Sequence, residues 1–467
     1  MNWKKILNNN RLRPSKGRDP KDARNDFESD FGRIIFSPAT RRMHDKTQVF
    51  PLTTDDNIHS RLTHSMEVMS IGYSLGIKLS EDKSFQKRLN KTEYELFREI
   101  PIILKNCCLL HDIGNPPFGH FGETVIQDYF KSFFEKCIIK KNRKDFTNND
   151  EKSKKLLLVL NENQKRDFLE FDGNAQGLRL ITKLQYLNDT YGLNLTYATL
   201  ASYIKYPNIN ALDKNILGKK KKGVFFSEKK AFEEIVEECG LNYKEEIIRH
   251  PFSYLMEAAD SISYLTMDIE DGYNKKLLDL DYYYNELKDI KSVKDKLAAI
   301  YNDEENYYKN DNTKMVNFRI HIIQKLVLLA IENFLKNIDK IEEGTYNKEL
   351  IFDDPEGLAE KLNFICINRI FKFRGINSLE ITGNSVIKGL IDYYIDFLFH
   401  ENKDYRKRAI KLISKSILKV AFEENDLFGD NAKFENLNDY YKLRVIVDFV
   451  SGMTDQFALT HYQKING

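Results

Sequence analysis

The stretch Leu109-Leu110-His111-Asp112-Ile113-Gly114-Asn115-Pro116-Pro117-Phe118-Gly119-His120-Phe121-Gly122-Glu123 holds the densest chemistry in the chain. A His-Asp doublet ends an apolar run, a Gly/Pro-rich turn follows, and a second His has a Glu three residues on. The doublet puts an imidazole beside a carboxylate, which is metal-ligand chemistry. His120 and Glu123 stand at helical i,i+3 spacing, where the carboxylate can orient the imidazole for proton transfer. An isolated His-Asp doublet is more often just the polar end of a helix, so its company decides the reading. His64, His111-Asp112 and Asp260 follow one another along the chain as two imidazoles and two carboxylates. That set suits Mn²⁺, Mg²⁺, Fe²⁺ or Zn²⁺ and offers no soft thiolate. Four protein ligands would leave positions for water and substrate, as a hydrolase requires.

These residues need helices to bring them together. Arg61 to about Ser80 reads as a helix with Val68, Ile71 and Leu75 on its apolar face, and His64 one turn earlier on that face. A His there is, taken alone, more often a satisfied core residue. Residues 101–113 form a strongly apolar helix after Pro101, and the turn from Gly114 to Gly119 breaks it. A new helix begins near His120. On the helix predicted over 252–271, Asp260, Tyr264 and Asp268 fall at i, i+4 and i+8, opposite Leu255, Ile262 and Ile269. That row is either a solvated stripe or, in a cleft, one ligand and two substrate contacts.

The wider chain fits an all-α fold with minor or no β. Its ten prolines are sparse, and apolar residues between them recur at helical steps, as at Ile320, Ile323, Val327, Ala330, Ile331 and Phe334. Residues 1–30 read as a polar basic arm, 31–275 as a catalytic core with a charged surface excursion at 138–166, and 276–467 as a helical region packing on that core. Arg41, Arg42, His44, Lys46 and Gln48 form a dense polar group, and Lys219 to Lys222 a four-lysine run. Each reads as a solvated loop, although the lysines could also meet phosphates.

Lys+Arg 72 against Asp+Glu 70 gives a net charge of +2, so any nucleic-acid contact must come from local patches. The five cysteines show no CxxC spacing and are odd in number, which suits reduced thiols. No run of 18 apolar residues indicates a membrane span. The expectation is a cytoplasmic protein.

Several motifs together resemble the deoxyguanosine triphosphate triphosphohydrolases of the HD hydrolase superfamily. They are Lys46-Thr47-Gln48-Val49-Phe50-Pro51-Leu52, Arg61-Leu62-Thr63-His64-Ser65, the His111 to Glu123 stretch and Gly173-Asn174-Ala175-Gln176-Gly177. Ala259-Asp260-Ser261-Ile262-Ser263-Tyr264 and Ser451-Gly452-Met453-Thr454-Asp455 complete the set. The resemblance implies an HD-domain helical core and hydrolysis of dGTP, or other dNTPs, to deoxynucleoside and intact triphosphate. It implies a divalent metal, Mn²⁺ or Mg²⁺ with Fe²⁺ or Zn²⁺ as alternatives, on His64, His111, Asp112 and Asp260. His120 with Glu123 would act at the α-phosphorus. Gln48 would approach the 3′-hydroxyl, Tyr264 the 2′ carbon and Asp268 the sugar. Asn174 and Lys205 would contact phosphates, and Arg444 a nucleotide, conceivably a neighbouring subunit's. It also suggests a homo-oligomer, plausibly a hexamer. Competing readings are an HD-type phosphatase or phosphodiesterase, and a nucleotide-sensing or single-stranded DNA-binding protein with an inactive site.

Overall fold

The computed structural model describes residues 1–13, 21–49, 52, 58–185, 189, 191–303, 307–372 and 374–466. Phe50 and Pro51 of the Gln48 motif, and 14–20 of the expected arm, lie outside them. The fold is helical. The helices that matter here are α1 (Asp26–Ile35), α2 (Arg61–Glu81), α3 (Ile100–Leu110), α4 (Gly119–Glu135), α5 (Gly173–Arg179), α6 (Tyr197–Tyr203), α7 (Pro251–Asn274), α8 (Asp311–Lys336), α9 (Arg374–Leu398), α10 (Asp439–Ser451) and α11 (Asp455–Asn466). Among the described residues the only sheets are two short pairs. Parallel β1 (Ile138–Lys140) and β2 (Leu157–Val159) lie in the charged excursion; antiparallel β3 (Asn242–Tyr243) and β4 (Glu246–Ile247) precede α7.

Local chemistry starts the key helices. Ser60 caps α2 by accepting from the Thr63 N–H, and His250 caps α7 by accepting from the Phe252 N–H, with Pro251 at the first helical position. Helix α3 is apolar nearly all round, so it is buried nearly all round. It packs lengthwise on α2, and the approach is close. A Cβ added at Gly76 of α2 would stand 2.5 Å from Pro101 Cα. That contact sets the two histidine-bearing helices at a fixed separation. Helix α7 crosses both, and α8 covers α2 and α7 from outside.

Two hydrophobic cores result. One gathers α1, α2, α3, α6, α7 and α8 and runs from Ile6 to Ile370. The other gathers α4, the excursion around Leu158, Phe225 and the segment 386–458. The first core draws on residues from both sides of position 275, and α8 packs directly against α2 and α7. The described part of the N-terminal arm is docked rather than free. Ile6 is fully buried, and Arg11 forms a buried ion pair with Asp30 at 2.6 Å. The apolar stripe expected on α8 is buried at Ala330, Ile331 and Phe334 and half-buried at Ile323 and Val327. Met315, Phe318, Ile322, Leu326, Ala330 and Phe334 are its buried line, whereas Ile320 is 45% exposed. The sequence offers apolar residues on two adjacent faces there, and packing chooses one. The cysteines in the structure are all free thiols, and among the described residues no helix is long and apolar enough to cross a membrane.

Candidate active site

Helices α2, α3 and α7 each deliver one group to a single point. His64, His111 and Asp260 hold their ligand atoms within 4.8 Å of one another. His64 Nε2 lies 3.3 Å and His111 Nε2 3.4 Å from the same Asp260 oxygen, Oδ1. Donor atoms that share one ion at about 2.1 Å sit roughly 3 Å apart, so this spacing suits a common ion. His111 Nδ1 lies 2.7 Å from the Cys108 carbonyl, which can only accept, so Nδ1 carries the proton and Nε2 presents its lone pair. That Nε2 is buried and has no hydrogen-bond partner. An orphaned imidazole lone pair facing a carboxylate is what a cation would complete. In its absence burial opposes charge on His111, but Asp112 and Asp260 outweigh it and raise the pKa to about 9. Burial also opposes charge on Asp260, yet His111, His64 and Lys205 hold its pKa well below the usual range.

Asp112 stands at the edge of this group. Its Oδ1 is 3.6 Å from His111 Nε2 and accepts from Asn115 Nδ2 at 2.6 Å, while Oδ2 takes the Arg61 guanidinium at 2.5 Å. Arg61 and His111 overcome burial to keep Asp112 ionised.

The second pair sits at the start of α4. His120 is 69% exposed, and its Nδ1 is 2.9 Å from Oε2 of the buried Glu123. Glu123 raises the His120 pKa and leaves Nε2 facing outward. Glu123 is itself anchored, accepting from the Gly173 N–H at 2.8 Å. A side chain at 173 would collide with Asn115 Oδ1 at 2.2 Å and Glu123 Oε1 at 2.7 Å, so the Gly173-Asn174 motif exists to let α5 approach. Asn174, half-buried, donates to Asp172 through Nδ2 at 2.7 Å.

Lys205 Nζ lies 3.7 Å from Asp260 Oδ2 and 3.5 Å from Glu257. Burial works against its charge, and Tyr206, Glu257 and Asp260 reverse that and raise its pKa well above the ordinary value. Tyr264 and Asp268 continue along α7. Burial and then Glu349 raise the Tyr264 phenol, and burial and then Asp271 raise the Asp268 carboxyl. Gln48 donates its backbone N–H to the His59 carbonyl, and its side-chain oxygen is buried without a partner.

Arg444 does not join the group. It is fully buried, its Nη2 donates to Gln176 and Asp448, and its guanidinium stands 4.1 Å over the Phe225 ring. In this chain Arg444 stands apart from the His64, His111 and Asp260 group, and its Nε and Nη1 have no hydrogen-bond partner among the described residues. The Ser451 to Asp455 motif is a clasp. Asp455 accepts from the Phe118 N–H, just before His120, and from Thr47, just before Gln48.

Two site residues carried no role in the sequence reading. Lys221, inside the four-lysine run, lies 3.5 Å from Asp172 and 3.9 Å from Glu123, and those two carboxylates, against burial, raise its pKa. Arg61 pairs with Asp112 and is 4% exposed. For both, the signal was proximity to a motif, one turn before His64 for Arg61 and a basic run for Lys221. The run is not a solvated loop. Lys219, Lys220 and Lys222 each face carboxylates, on Glu246, Glu349 and Asp167 respectively.

Comparison with known proteins gives two family matches and several relatives. Residues 61–166 match the HD domain and residues 400–464 the phosphohydrolase-associated domain. A deoxyguanosinetriphosphate triphosphohydrolase-like protein of Listeria monocytogenes is 35% identical over 483 residues, covering 100% of both chains. A like protein of Synechocystis is 30% identical over 479 residues, covering 100% of this chain and 99% of its own. A deoxyguanosinetriphosphate triphosphohydrolase of Salmonella typhimurium is 31% identical over 489 residues, covering 94% of this chain and 93% of its own.

Proposed function

The chain belongs to the family of the deoxyguanosinetriphosphate triphosphohydrolases and their like, a family with an HD domain, and from that premise we propose that it hydrolyses dGTP, or several deoxynucleoside triphosphates, to deoxynucleoside and inorganic triphosphate. The observation that carries this reading is the orphaned His111 Nε2 set beside Asp260 and His64, a cluster completed by a divalent cation. His64, His111 and Asp260 would hold the ion, with Asp112 beside them. A Mn²⁺ or Mg²⁺ bound there would supply Lewis-acid stabilisation of charge at the α-phosphate.

The protein's own groups would do the rest. His120, held in one orientation by Glu123, would move a proton at its exposed Nε2 during attack of water on the α-phosphorus. The bond from that phosphorus to the 5′ oxygen breaks, the nucleoside takes up a proton, and the three phosphates leave joined. Lys205 and Lys221, charged and short of solvent, would hold phosphate oxygens, with Asn174 beside them. The buried acceptor on Gln48 fits a sugar hydroxyl donor. Tyr264 and Asp268 on α7 would border the sugar. The same reading makes the protein a cytoplasmic homo-oligomer, with a hexamer expected on sizing by light scattering.

Product analysis with Mn²⁺ and each of the four deoxynucleoside triphosphates tests the reaction. Triphosphate with deoxynucleoside is the expected outcome. Orthophosphate or pyrophosphate would replace it with an HD-type phosphatase or phosphodiesterase.

A further inference from the structure

A cavity of about 390 Å³ opens on the seam between the two hydrophobic cores, and none of the residues assigned above to metal or proton transfer lines it. Its walls are mainly apolar: Leu180 and Leu184 from one side, Phe449, Met453 and Phe457 from the other. Its size is that of a small-molecule site.

Two polar groups in that wall lack partners among the described residues. Ser451 is 1% exposed, yet its hydroxyl makes no hydrogen bond. Arg42 is half-buried and has neither an ion pair nor an acceptor; burial, then Arg41, lowers its pKa. Lys46 links the two. Its fully sequestered ammonium donates to the Ser451 carbonyl at 3.1 Å and to the Asn115 carbonyl at 2.5 Å. Burial, followed by Arg42 and Arg61, brings Lys46 down to about 7. Asp448 is a carboxylate in the same wall, but Arg179 and Arg444 already hold it. A half-buried guanidinium with no counter-charge among the described residues, next to an apolar hollow and an unbonded buried hydroxyl, favours an anion with an apolar body.

We propose that this cavity is a second ligand site that takes a small organic anion. Its anionic group would meet Arg42 and the Ser451 hydroxyl, and its apolar body would fill the space between Leu180, Leu184, Phe449 and Met453. The floor of the cavity is Ile113 and Gly114, the continuation of the His111-Asp112 doublet. An occupant would therefore press on the loop that carries the catalytic groups, and Lys46 would join both.

Isothermal titration of the full chain with phenylphosphonate, benzoate and inorganic phosphate reads the site. At least one of the two organic anions should bind once per chain and more tightly than phosphate, and which of them does so identifies the anionic group. Arg42→Gln should weaken that binding about tenfold or more, the worth of a hydrogen bond to a charged group. Met453→Trp, which fills the hollow, should abolish it, and Lys221→Ala should leave it intact. Unchanged binding in Arg42→Gln would overturn the proposal. So would loss of binding in Lys221→Ala, phosphate binding as tightly as the organic anions, or no heat from any probe at roughly 10 mM. If Met453→Trp does not fold, Arg42→Gln still decides.

Discussion

Two of the polar clusters buried in this protein are built on opposite terms. Around Arg179, a fully buried guanidinium meets Asp448 at 2.8 Å, Glu228 at 2.8 Å and Glu424 at 3.0 Å. Every carboxylate there has a cation, and the fan ties α5 to α10 and to the segment before the latter. Around Asp260, two imidazoles converge on one carboxylate oxygen, and the buried His111 Nε2 makes no hydrogen bond. The first cluster closes on itself and holds the two cores together. The second is the group that could hold a metal ion. Burial and charge alone do not separate structure from function in this molecule; the convergence of two imidazoles on one carboxylate oxygen marks the second cluster.

Variants sharpen that contrast. Asp260→Ala removes the oxygen that both imidazoles face, so divalent metal should be lost and hydrolysis should fall to background, while far-ultraviolet dichroism stays native. His120→Ala should retain metal and nucleotide but lose turnover by about 10² to 10⁴-fold in single-turnover assays. If it released metal instead, the division between ligand and proton carrier would be wrong. Arg179→Leu acts on the other cluster. Removing the guanidinium that three buried carboxylates share, with only Lys183 and Arg444 left beside them, should destabilise the fold by about 3 kcal/mol, read by denaturant unfolding, with metal binding per folded chain unchanged.

A smaller effect comes from His250, which caps the helix that carries Asp260. Its Nε2–H donates to the Ile6 carbonyl at 3.0 Å, and burial lowers its pKa to about 4, against about 6.5 in an unfolded chain. A depressed folded pKa gives stability that is present above pH 6.5 and lost as pH falls through 4. The loss amounts to about 3 kcal/mol. His250→Gln should flatten the stability profile between those limits, and an unchanged acid slope would remove His250 from the account.

The site was legible where chemistry and spacing coincide. His64, His111 and Asp260 stand out by type, and the i,i+3 relation of His120 and Glu123 fixes their pairing before any fold is known. Motif residues that position others were harder to separate. Asp455 looks like part of a reactive motif and is a clasp, and Arg444, expected at a nucleotide, is buried against Gln176, Asp448 and the Phe225 ring. Both are polar residues in an apolar helical context, and only the tertiary partner tells which role a buried charge takes. Lys221 was hidden for the converse reason, because a run of lysines resembles a solvated loop until the loop is seen folded over Glu123. On α8 the expected stripe holds at Ala330, Ile331 and Phe334, and Ile320 is the member that packing against α2 and α7 leaves exposed.

The most direct test of the contrast between the two clusters is metal content. Equilibrium dialysis against Mn²⁺, followed by elemental analysis, should find one ion per chain in the wild type and in Arg179→Leu that remains folded, and none retained in His64→Ala. A His64→Ala protein that keeps its ion, or an Arg179→Leu protein that loses it while folded, would contradict the account.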